Sequence, residues 1–131
     1  MKSIYLFLAT LLLYIGLDLL FLGVLAKDFV RRQAGSLMAD KPDWIAAGLF
    51  YLIFTAGLLY FCVYPAASAG RALFNGAFFG LVAYSTYELV NKTLLARWPL
   101  PLVIVDIVWG AVAGAVVCWA SFKIGKLLEV F

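Results

Sequence analysis

Histidine is absent from this chain. Its absence removes the commonest metal ligand and the one side chain that titrates near neutral pH without help. No Ser-His or metal-His arrangement can be built, so no metal site is assigned and any cofactor is unknown; an all-oxygen magnesium or calcium site is still conceivable. Cysteine is scarce. Cys62 and Cys118 lie in apolar runs without CxxC spacing, and read as small buried hydrophobes that could bridge only if their helices touch. Charge is scarce too, at 13% of residues against the roughly 25% of a soluble domain. The net charge of +3 is scattered over connecting segments, which suits lipid headgroups and membrane topology and excludes a clustered nucleic-acid footprint.

What fills the chain instead is apolar: 66% of residues, with a mean hydropathy of +1.06. So little polar surface cannot cover a water-facing globule, and the lipid bilayer is the expected surrounding and partner. About 20 mainly apolar residues cross a bilayer as helix, and four segments are expected to do so, at about 4–26, 44–64, 72–91 and 102–122. Together they predict one all-α transmembrane domain over 1–131, a four-helix bundle running up-down-up-down. The first segment begins after Lys2, as a signal peptide would. Its apolar run is longer than a normal leader and holds Asp18, so it reads as a retained helix. Pro65 stops the second segment, Pro99 and Pro101 open the fourth, and Asp43 is placed to cap Trp44. Only the first connection, from Lys27 to Asp43, is long. Its Phe29, Val30, Ala34, Leu37 and Met38 recur at helical spacing away from Arg31 and Arg32, which fits either a short helix lying in the membrane interface or a solvated loop. Of the ten basic residues, six fall on the side of the first and third connections and four on the other, a weak preference for both termini outside.

Three carboxylates interrupt the apolar segments: Asp18, Glu88 and Asp106. Each costs roughly 2.5–3.5 kcal/mol near the middle of a bilayer. Alternating helices place all three in the same half of the membrane, about 6–13 Å in from the side of the first and third connections. Residues three or four apart share a helix face, which puts Tyr14 with Asp18, Tyr84 and Tyr87 with Glu88 and Asn91, and Asp106 with Trp109. The small-xxx-small pairs Gly76…Gly80 and Gly110…Gly114 predict that the third and fourth segments close tightly at one end and open at the other around a polar pocket. Near a helix end, Glu88 and Asp106 could be neutralised by Lys92 or Arg97. Asp18 has no such residue in its own segment. Trp44 and Trp98 are expected as interfacial anchors. The repeated Tyr-x-x-x-acid-Leu of Tyr14–Leu19 and Tyr84–Leu89 is a faint echo of a two-helix repeat.

The run Tyr84-Ser-Thr-Tyr-Glu-Leu-Val-Asn91, continued by Arg97-Trp98-Pro99 and Asp106-Ile-Val-Trp109-Gly110, resembles the signature of the membrane-protein family called domain of unknown function 2177. Leu17-Asp18 with Leu22-Gly23, and Trp44-Ile-Ala-Ala through Phe50-Tyr51, extend the resemblance over nearly the whole chain. It implies a four-helix, multi-pass protein of the bacterial inner membrane, and no activity. The family pattern carries Asp where this chain has Glu88, which keeps the carboxylate and moves it by one methylene.

Three classes of function fit these residues. In the first, Asp18, Glu88, Asp106, Tyr14, Tyr84, Tyr87, Asn91 and Trp109 form a site that binds or transports a proton, a cation or a small cationic or amphipathic solute. In the second, the acids serve helix packing in a lipid-binding or assembly subunit without catalysis. In the third, the least favoured, a carboxylate pair works as acid and base on a lipid. A homodimer is expected of a bundle this small.

Overall fold

The computed structural model describes residues 1–38, 41 and 43–131, and the remaining part of the first connection lies outside it. The described residues form helices and no strands. Four helices are long: α1 (Lys2–Leu25), α3 (Trp44–Val63), α4 (Ala69–Leu94) and α5 (Leu100–Leu127). Between α1 and α3 lies the short α2 (Lys27–Ala34), followed by a single turn at Gly35–Leu37. The expected segments match these helices, with α4 and α5 longer by several residues at one or both ends. Two expected helix starts hold: Asp43 accepts a hydrogen bond from the Ala46 amide at 3.1 Å, and Pro99 caps α5. Ser68, not singled out in the sequence, caps α4 by accepting from the Arg71 amide at 3.1 Å.

Three of these helices, α1, α3 and α5, are long and apolar enough to cross a membrane. α4 is as long as its neighbours but carries Asn75, Tyr84, Ser85, Thr86, Tyr87, Glu88 and Asn91, of which Tyr84, Tyr87 and Glu88 line the candidate site.

Each long helix runs antiparallel to its chain neighbour. Asp18 meets Tyr51 where Tyr14 meets Phe54; Phe54 meets Tyr84 where Cys62 meets Asn75. α1 also lies antiparallel on α5, with Thr10 and Ser121 sharing a hydrogen bond of 2.8 Å near one end and Trp109 donating to Asp18 near the other.

The buried faces follow a period of four. α1 buries Leu6, Thr10, Tyr14 and Asp18; α4 buries Ala72, Gly76, Gly80, Tyr84 and Glu88. α5, which has to serve two neighbours, buries two such rows. The row of Gly110, Gly114 and Cys118 faces α4, and the row of Ala113, Val117 and Ser121 adjoins it. Where α4 and α5 cross, a Cβ built on Gly76 would overlap the carbonyl of Gly114, and one on Gly80 the carbonyl of Gly110. Lipid tails are as apolar as leucine, so helices associate in a bilayer through close van der Waals contact. Glycine permits that contact here. Leu6, Leu58, Val63, Val117 and Cys118 fill the same half of the bundle and are buried completely. The closed half also brings Cys62 and Cys118 side by side as free thiols.

Candidate functional site

The half of the bundle beyond Gly80 and Gly110 is built differently. The α4 row changes there from glycine to Tyr84, whose ring lies where a Cβ on Gly110 would be. The hydroxyl of Tyr84 bonds to that of Tyr14, across the bundle from α4 to α1. Above this floor opens a cavity of about 640 Å³. Asp18, Glu88 and Asp106 all line it, together with Tyr84 and Tyr87. The remaining wall is apolar, with Phe50 and Phe54 from α3 and Leu22 and Leu102 from the ends of α1 and α5.

The acids are held unequally. Asp18 is 6% exposed and takes two hydrogen bonds, from the Tyr51 hydroxyl at 2.7 Å and from the Trp109 indole N–H at 3.3 Å. The Phe21 ring stacks on Trp109 with centroids 4.3 Å apart, fixing the indole that makes this bond. Glu88 is 1% exposed and accepts from the Trp98 indole N–H at 2.8 Å. Lys92 does not pair with it. Its ammonium donates to the Trp98 carbonyl at 2.9 Å and so secures the residue that holds Glu88. Arg97 makes no ion pair either; the salt bridge found among the described residues joins Lys2 and Glu129 at the far end of the bundle. Asp106, half-buried, takes no N–H or O–H donor among the described residues and lies alongside the Glu88 carboxyl.

No Lys or Arg lines the cavity among the described residues. Among the described residues no three acids converge closely enough to hold a metal ion.

The family model whose description reads "Predicted membrane protein (DUF2177)" matches residues 3–123. The chain belongs to this family. No curated protein and no solved structure matches it. Membrane residence rests on the family and on the three apolar helices of crossing length.

Of the residues expected to form a site, Asp18, Glu88, Asp106, Tyr84 and Tyr87 face the cavity, Tyr14 underlies it and Trp109 holds Asp18. Asn91 is half-buried beside Tyr87, outside the cavity wall. Trp98 departs from the expected interfacial anchor, because its indole N–H reaches a buried acid. Trp44, 70% exposed at the start of α3, keeps the anchor's position. The Tyr-x-x-x-acid echo has a structural counterpart: the two tyrosines bond to each other and each acid one turn on accepts an indole N–H.

Sequence reasoning missed Tyr51, Phe50 and Phe54. A tyrosine in the middle of an apolar helix needs a partner for its hydroxyl, and that was the available signal for Tyr51. It also missed the destination of α2. The helix forms as its spacing suggests, but Val30 and Ala34, with Leu37 and Met38 of the following turn, face the cavity and cover its mouth. Arg31 and Arg32 stay exposed.

Proposed function

We propose that this protein binds, and moves across the bilayer, a small cationic or amphipathic solute in exchange for a proton. In this reading α4 crosses the membrane as the fourth span, the single domain covers 1–131, and the protein is a multi-pass component of a bacterial inner membrane. The length of α4 and its tight glycine contact with α5 support the fourth span. Its buried acid, Glu88, and Tyr84 face the bundle interior, where membrane helices keep such groups.

The observation that carries the functional reading is the charge content of the cavity: three carboxylates, no lining cation among the described residues, and an apolar wall. Glu88 and Asp106 lie side by side, and like charges so close require a proton or a cation between them. Asp18, already satisfied by Tyr51 and Trp109, contributes field. Asp106 has the unused acceptors. A guest with a compact positive group could take the place of a proton at Asp106 and set its apolar part against Phe50, Phe54 and Leu102. Exchange of proton for cation at one site is the minimal requirement for coupled transport.

The test is calorimetry of butyltrimethylammonium binding to the full chain in lipid nanodiscs, repeated in buffers of different ionisation enthalpy. Binding should release protons to the buffer. Asp106→Asn should weaken it about tenfold or more, the value of one charge-assisted contact. Absence of binding, or binding untouched by both Asp106→Asn and Glu88→Gln, would overturn the proposal.

A further inference from the structure

The acid cavity has a neighbour. An open groove of about 660 Å³ runs along the outer side of α3, lined by Ile53, Ala56, Tyr60, Phe61 and Phe79. Phe50 and Phe54 line both the groove and the acid cavity. These two α3 side chains form a shared partition between the two spaces.

The reason lies in how α3 meets α4. Their backbones come together only along Leu58–Val63; over Trp44–Gly57 they stand apart. Aromatic rings bridge the gap. Phe54 stacks on Phe79 with centroids 5.5 Å apart, and Phe79 reaches Phe61 at 5.8 Å. Gly57 keeps room for this arrangement, since a Cβ there would come within 2.8 Å of the Phe79 ring. Phenylalanine rings can swing about two torsions. A backbone wall could not yield in this way.

We infer that the groove receives the hydrocarbon tail of a single-chain cationic amphiphile whose head occupies the acid cavity, and that the molecule enters sideways from the bilayer between α3 and α4. The inference rests on the cation-binding reading of the cavity and adds the class of guest and its route. Two features favour this occupant over ordinary bilayer lipid. The groove shares its Phe50 and Phe54 wall with a cavity of the opposite charge to the head. Its length from Phe50 to Tyr60 is ten residues of helix, about 15 Å, enough for a long alkyl chain. Sideways entry also spares the tail any passage through water, because it moves from lipid to an aromatic groove of similar polarity.

The experiment uses the full chain in phosphatidylcholine nanodiscs and a dodecyltrimethylammonium analogue carrying a photoreactive diazirine at the tail end. After illumination, mass spectrometry should place the label on the stretch from Ile53 to Phe61 and on Phe79. Excess butyltrimethylammonium should suppress that labelling. Ala56→Phe fills the groove from an exposed position, and Ile53→Trp does so from a side chain 71% exposed, so neither disturbs the core. Each should weaken binding of the dodecyl probe about tenfold by overfilling the groove, with butyltrimethylammonium binding changed less than about twofold. Labelling spread evenly over all lipid-facing helices and not suppressed by the short cation would overturn the tail site. So would unaltered dodecyl binding in both groove variants. Either result leaves the cation site standing if Asp106→Asn still weakens the short cation; loss of that effect as well would remove the cation reading itself.

Discussion

Replacing Asp18 separates its structural role from its electrostatic one. Asp18→Leu deprives two donors of their acceptor, the Tyr51 hydroxyl at 2.7 Å and the Trp109 indole at 3.3 Å. A buried donor left unpaired costs about 1–3 kcal/mol. Tyr51 and Trp109 are each half-buried, so each regains part of that loss elsewhere, and the expected total is near the lower end, about 2 kcal/mol. Asp18→Asn should behave differently. Its amide carbonyl can accept from Trp109 while its NH₂ donates to Tyr51, whose hydroxyl accepts as readily as it donates. Both bonds survive in changed polarity, and the cost should stay below about 1 kcal/mol. The negative charge is nevertheless gone, so cation binding should fall with the fold intact.

The assay is denaturant unfolding in mixed micelles followed by maleimide labelling of Cys62 and Cys118. These thiols are 1% and 0% exposed and react only when the helices part. Adding Tyr51→Phe to Asp18→Leu removes one orphaned donor and should recover about 1 kcal/mol. If Asp18→Leu unfolds at the same denaturant concentration as the unmodified chain, the two hydrogen bonds do not stabilise the bundle. If Leu and Asn are equally damaging, the charge and not the bonding pattern carries the stability, and the reasoning fails.

Gly80→Leu should drive α4 away from the Gly110 carbonyl and lower stability by about 1–3 kcal/mol, with early labelling of the two thiols in the same assay. Trp98→Phe keeps an aromatic ring but leaves Glu88 without its donor; a loss of about 1–3 kcal/mol and weaker cation binding are expected, measured by unfolding and calorimetry. Glu129 ends α5 in the left-handed region at φ 59°, where glycine is favoured. Glu129→Gly should therefore raise stability by about 0.5–1 kcal/mol, the exposed pair with Lys2 contributing little to oppose it.

Much of the architecture was readable from the chain because helices in lipid are long, apolar and punctuated by proline. The glycine pairs on α4 and α5 announced the close crossing, and the four-residue spacing of Tyr14 with Asp18 and Tyr84 with Glu88 announced the polar faces. The alternation of helices placed the acids in one half. Three features were not readable. Trp98 sits at a helix boundary where an indole ordinarily faces headgroups, and only the return of the α4–α5 connection over Glu88 turns it inward. Tyr51 and Phe50 look like any aromatic on a lipid-facing helix until α1 is placed beside α3. The periodicity of α2 showed an apolar stripe but could not say whether that stripe meets lipid or the cavity. Each miss concerns which of several apolar surroundings a side chain meets. Hydropathy treats these surroundings as equal.

The same four-residue row on α4 explains both the closure and the opening of the bundle. From Ala72 through Gly76 to Gly80 it offers almost no side chain, so α5 can lie against the α4 backbone. At Tyr84 the row acquires a ring, and at Glu88 a long polar chain. The helices cannot remain in backbone contact past that step. Tyr84 is therefore a wedge as well as a hydrogen-bonding group, and its link to Tyr14 ties the wedge to the opposite side of the bundle at the point where the interior begins to open. A cavity in the membrane needs such a fixed floor, because lipid pressure and helix packing would otherwise close it. Tyr84 and Glu88 lower the hydropathy of α4 where they line the cavity, while Asn75, Thr86 and Lys92 lower it elsewhere. On the buried row, what is lost in lipid solubility is what lines the interior.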